Sequence, residues 1–119
     1  MLWEVFQNSS HQHNFRFMVV NIPSYFQLAP EEHTRILELY DSIEALMPDH
    51  QNMIFGEFFQ KQNMTFLDLY DDSAFKQNYT RLYFKEDSHL SPEGDRVVAE
   101  RTKTSLMSIS LFANKVQLQ

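Results

Sequence analysis

The segment Phe15-Arg-Phe-Met-Val-Val-Asn-Ile22 constrains the fold more than any other part of the chain. It is nearly continuously apolar, rich in β-branched and aromatic side chains, and stopped by Pro23, which has no N–H to give to a ladder. Such a run is expected to be a strand buried on both faces, as in a parallel sheet covered by helices. A second candidate, Met64-Thr-Phe-Leu-Asp-Leu69, is short, β-prone and bounded by the polar Tyr70-Asp71-Asp72-Ser73.

Helical patterns stand where parallel strands need their crossovers. Pro30, Glu31 and Glu32 suit a first turn, because proline needs no N–H there and acids favour the positive helix end. Ile36, Leu39, Tyr40, Ile43, Leu46 and Met47 then recur at three- and four-residue steps until Pro48. A further apolar-periodic stretch runs from about 50 to 62, with Phe55, Phe58 and Phe59 prominent. Ser91-Pro92-Glu93 announces a last helix, whose apolar side carries Val97, Val98, Leu106 and Met107 out to roughly 110. At the other end, Leu2, Val5 and Phe6 form a short amphipathic piece over 2–7, followed by a polar turn, Asn8 to Asn14. The order helix, strand, helix, helix, strand, helix predicts an α/β fold. Its expected form is three layers, a parallel sheet with helices on both faces, in a single domain over residues 1–119.

With 119 residues, 43% of them apolar, the chain suits one small globular domain with a modest core. It has no cysteine, which excludes thiol nucleophiles, disulfides and Cys-based zinc sites. A net charge of −6 without any clustered basic run argues against a nucleic-acid partner, which would need concentrated positive charge. The only glycines are Gly56 and Gly94, so a glycine-rich phosphate loop, a dinucleotide fingerprint and a G-x-S-x-G elbow are all excluded. Met1-Leu-Trp-Glu-Val-Phe does not read as a secretory signal, and no apolar run approaches the roughly 20 residues that span a bilayer.

One segment carries chemistry: Leu82-Tyr-Phe-Lys-Glu-Asp87-Ser-His89-Leu-Ser-Pro-Glu-Gly94-Asp-Arg-Val-Val-Ala-Glu100. Asp87 and His89 stand two residues apart in a loop just ahead of a capped helix. A carboxylate so placed can hold one ring nitrogen and leave the other free to accept a proton, the orienter-and-base half of a hydrolytic triad. The carboxylate favours the imidazolium and the nearby helix end opposes it, a balance suited to a general base. Taken alone, an acid and a histidine at this spacing describe an ordinary surface loop. The complete block with its helix start favours the catalytic reading.

This block resembles the final motif of the SGNH (GDSL-type) esterases and acyltransferases, where it supplies the triad acid and histidine ahead of the C-terminal helix. Val19-Val-Asn-Ile-Pro23-Ser24 is similar to the family strand that ends in a proline loop, and Thr65-Phe-Leu-Asp-Leu69 to its last strand. The resemblance spans about residues 15 to 105 and implies a three-layer, flavodoxin-like sheet, here incomplete. It implies His89 as base and Asp87 as acid, with Glu86, three residues before the histidine, as the alternative acid. It implies no metal or organic cofactor, and a carboxylic ester or acetylated sugar as substrate of the intact enzyme. The family's Gly-Asp-Ser and Gly-x-Asn-Asp blocks are not found here. The resemblance therefore implies the C-terminal portion of such a domain, inactive by itself; a non-catalytic interaction module is the alternative.

That gap has a physical consequence. Exposing five or six large side chains where neighbouring strands would pack forfeits about 1.5–3 kcal/mol each. The total, on the order of 10 kcal/mol, equals the stability of an ordinary domain. An uncovered parallel edge also invites another strand. A homo-oligomer, or strand exchange with a complementary segment, is therefore expected.

The remaining candidates have plainer explanations. His11 and His13 could chelate a metal only with a third ligand, and a polar turn suits them better. Asp68 is expected to be a strand-end acid bonded to a turn rather than a group supporting the site, Asp71-Asp72 a solvated turn, and the phenylalanines at 55–59 core packing rather than an acyl pocket.

Overall fold

The computed structural model describes residues 2–38 and 49–117. Helix α1 (Leu2–His13) leads to strand β1 (Met18–Asn21), then α2 (Tyr25–Leu28), α3 (Pro30–Leu37), α4 (His50–Lys61), β2 (Thr65–Asp68), α5 (Ser73–Leu82) and α6 (Pro92–Gln117). The two strands pair in parallel, Met18 opposite Thr65 through Asn21 opposite Asp68. This is a mixed helix and strand architecture built on a two-stranded parallel sheet. No helix among the described residues is long and apolar enough to cross a membrane.

Alternation along the strands assigns their side chains. Phe66 stacks on Phe59 of α4 at 4.9 Å between ring centres. Phe59 also meets the edge of Trp3 from α1 at 5.0 Å. Val20 and Leu67 pack instead on the main core, where Leu28, Leu69, Phe75, Leu82, Tyr83 and Val97 are buried. Met18 meets α6 through the hydroxyl of Ser105, 3.3 Å from its sulfur.

The run 15–22 narrows to a four-residue strand, and every residue of that strand is half-buried rather than buried on both faces. The cause is the sheet's width: β1 has β2 as its one neighbour among the described residues. The segment 8–14 is not a polar turn, because α1 continues to His13. It contains no glycine or proline to break the helix, which ends only where Asn14 takes a left-handed φ of 52°. The last helix continues beyond 110 to Gln117. Of the helix expected up to Pro48, the first turns are α3, and residues 39–48 lie outside the described residues.

Two further helices, α2 and α5, begin at recognisable local signals. Ser24 and Gln27 form a reciprocal capping box that starts α2. Asp72 caps α5 by accepting the Ala74 N–H at 2.9 Å, and Phe75, Tyr79 and Leu82 follow at helical spacing.

Candidate active site

The loop between α5 and α6 is closed by its own main chain. Tyr83 and Leu90 form an antiparallel bridge. Within it the Phe84 N–H donates to the His89 carbonyl at 2.8 Å, and the Ser88 N–H to the Phe84 carbonyl at 2.9 Å. Ser88 takes the left-handed conformation, φ 59°, which turns the chain sharply between the acid and the histidine.

That turn brings Asp87 and His89 together twice. Oδ1 of Asp87 accepts the His89 main-chain N–H at 3.0 Å, and Oδ2 lies 3.2 Å from Nδ1 of the ring. The main-chain amide above all holds the Asp87 carboxyl below its usual range; desolvation opposes this and the imidazole adds to it. Glu86 forms no ion pair with the ring, so Asp87 is the acid that contacts His89 among the described residues. The imidazole is 81% exposed, and no described serine hydroxyl bonds to it. The geometry holds one ring nitrogen against a carboxylate and leaves Nε2 without a hydrogen-bond partner among the described residues.

The helix that follows anchors the loop from below. The Ser91 hydroxyl donates to the Arg81 carbonyl at 2.7 Å and accepts the Gly94 N–H at 3.2 Å. The Ser91 N–H donates to the Leu82 carbonyl at 2.8 Å. Gly94 is required by this close approach, since a Cβ there would overlap the Leu82 carbonyl oxygen and lie 2.9 Å from Leu90. On the other side, the buried phenol of Tyr83 donates to the Pro23 carbonyl, tying the loop to the end of β1. The hydroxyls of Tyr25 and Tyr79 each donate to Glu31 at 3.3 Å, which joins α2, α3 and α5 beside it. Tyr83 and Glu31 carry no local sequence signal for these roles.

Asp68 accepts the Tyr70 N–H at 3.0 Å, the turn bond expected of a strand-end acid, and also the amides of Asn21 and Asn52. Asp71 is exposed beside Lys76, at 3.4 Å, but Asp72 departs from a solvated turn. Its carboxylate lies 2.6 Å from Nε of Arg101 on α6. His11 and His13, two positions apart on a helix, project about 200° from one another. Among the described residues no group of three potential metal ligands forms. Phe59 is core, while Phe55 is partly exposed on α4.

No family model, curated protein or solved structure matches the chain.

Proposed function

We propose that the chain is the acid-and-base portion of an SGNH-type serine esterase or acyl hydrolase, acting on carboxylic esters such as O-acetyl groups. The observation that carries this reading is the double contact of Asp87 with His89, through the ring at 3.2 Å and the main chain at 3.0 Å. Its position supports it further, in a loop tied to the C-terminal end of a parallel strand, where α/β sheets gather their ligands. In the full enzyme the three-layer sheet is completed by a segment that supplies the nucleophilic serine and the oxyanion donors.

There, Nε2 of His89 takes the proton as the serine oxygen adds to the ester carbonyl. Asp87 keeps the remaining proton on Nδ1 and favours the imidazolium. Collapse of the tetrahedral adduct breaks the ester C–O bond, and His89 returns the proton to the leaving alcohol. Water, deprotonated by the same nitrogen, then releases the acid and restores the serine. Donors for the oxyanion contribute a further large share of the rate.

A second reading, a non-catalytic module that binds a partner through its sheet edge, draws on the high exposure of the His89 ring and on β1 having one neighbouring strand among the described residues. Hydrolysis of p-nitrophenyl acetate separates the two. The chain alone should give no turnover above background. A longer polypeptide that adds a Gly-Asp-Ser segment should turn over, and His89→Ala should abolish its burst. Asp87→Asn should lower kcat more than it raises KM. Full rate in Asp87→Asn with loss in Glu86→Gln would reassign the acid, and an inactive longer polypeptide would favour the binding module.

A further inference from the structure

Helix α6 also presents an apolar surface, whose lining includes neither Asp87 nor His89. A groove of about 540 Å³ runs along it, lined on the helix by Val98, Ala99, Leu106 and Met107 and beyond it by Ile22 and Leu90. Leu106 and Met107 are 48% and 56% exposed, and Ile22, just past the end of β1, is 40% exposed. Large apolar side chains gathered in one groove mark a contact surface rather than ordinary scattered exposure.

The charges on its rim say what covers it. Asp95 and Lys103 line the groove, each four residues from Ala99 along the same helix. Neither forms an ion pair among the described residues, whereas Arg96, Glu100 and Arg101 on the same helix do. An acid and a base placed equally on either side of a small residue make the surface complementary to itself. Turned about a two-fold axis through Ala99, Asp95 of one copy meets Lys103 of the other, and the reverse contact forms at the same time. Ala99 at the crossing lets two helices approach to about 8 Å.

The apolar parts match by the same operation. Leu106 lies seven residues beyond Ala99, about 10 Å along the axis. Pro92, the first residue of α6, lies seven residues before it and two residues past Leu90, which lines the groove together with Ile22. The protruding Leu106 and Met107 of one copy therefore arrive over the Ile22 and Leu90 pocket of its mate. We propose that the chain forms a two-fold dimer in which the α6 helices pack antiparallel across Ala99, each groove filled by the other copy. The proposal does not depend on the acyl-transfer reading.

Because the chain has no cysteine, Ala99→Cys introduces a single thiol. On the axis, two such thiols fall within reach of a disulfide, whose Cβ atoms must come within about 4.5 Å. Under mild oxidation Ala99→Cys should cross-link rapidly, and Gln77→Cys, exposed on α5, should not. Sedimentation equilibrium should show a dimer at micromolar concentration. Asp95→Lys should weaken it by about tenfold, since two attractions become two repulsions. Adding Lys103→Asp should restore the association, with circular dichroism reporting an unchanged helix content throughout. A monomer at every concentration, equal cross-linking of the two thiol variants, or failure of the double reversal to restore the dimer would each overturn the proposal.

Discussion

The hydroxyl of Tyr83 donates to the carbonyl oxygen of Pro23, sixty residues earlier in the chain. Through that bond the loop carrying Asp87 and His89 is fastened to the end of β1. Tyr83 and Pro23 are both buried, so water does not stand in for either partner.

Tyr83→Phe should cost about 1–3 kcal/mol in urea denaturation, because the Pro23 carbonyl is left without its partner. Burial also pushes the Tyr83 phenol far up from its ordinary value. Above pH about 10 the unfolded chain releases a proton that the folded chain keeps. The contribution is therefore complete below pH about 10 and is lost as pH rises toward the folded value. The phenylalanine variant should lose less stability between pH 9 and 11 than the parent, and an identical slope would refute this account.

Asp72 joins the start of α5 to α6 through Arg101 at 2.6 Å. Burial opposes its ionisation, yet the guanidinium and the Ala74 and Phe75 amides outweigh that and hold its carboxyl below the usual range. Its contribution is present above the unfolded value and fades as pH falls through the folded one. Arg101→Gln should cost about 1 kcal/mol at neutral pH, a modest figure because the arginine is partly exposed. The difference between variant and parent should shrink between neutral pH and a pH well below the ordinary aspartate range, as Asp72 takes up its proton. Denaturation at the two pH values measures it.

Gly94→Ala sets helix propensity against space. Alanine gains up to about 1 kcal/mol as a helix former. The new Cβ, however, meets the main chain of Leu82, with its carbonyl carbon at 3.1 Å, and backbone cannot rotate aside as a side chain can. The clash should win, with a net loss of about 1–3 kcal/mol in thermal or urea unfolding. A stabilised variant would show that α5 and α6 shift apart freely.

The carboxyl of Asp87 should titrate below the usual aspartate range, as followed by carbon NMR. Since the leading cause is the His89 main-chain N–H, His89→Ala should leave most of that depression in place. Return to an ordinary value in the alanine variant would mean that the ring, not the amide, orders this loop.

Much of this was written locally. The apolar runs around Val19 and Phe66, the Pro30 and Pro92 helix starts and the Asp87-Ser-His89 spacing all declare themselves within a few residues, because caps and periodicity are short-range properties. That spacing lets the two side chains meet, and Ser88 in its left-handed turn brings them together. The α5 helix was equally legible in Asp72, Phe75, Tyr79 and Leu82, but a pair of aspartates ahead of it resembled a solvated turn.

Tertiary structure alone decided the rest. That Met18 pairs with Thr65, that Tyr83 reaches Pro23, and that Asp72 meets Arg101 depend on the path of the chain between them. The half-burial of β1 is of the same kind, since an apolar run states a demand for cover and only its neighbours determine how far it is met. Residue types and short spacings specify what each segment can do; which groups come within bonding distance is set by long-range packing, whose partners leave no periodic mark on one another's sequence.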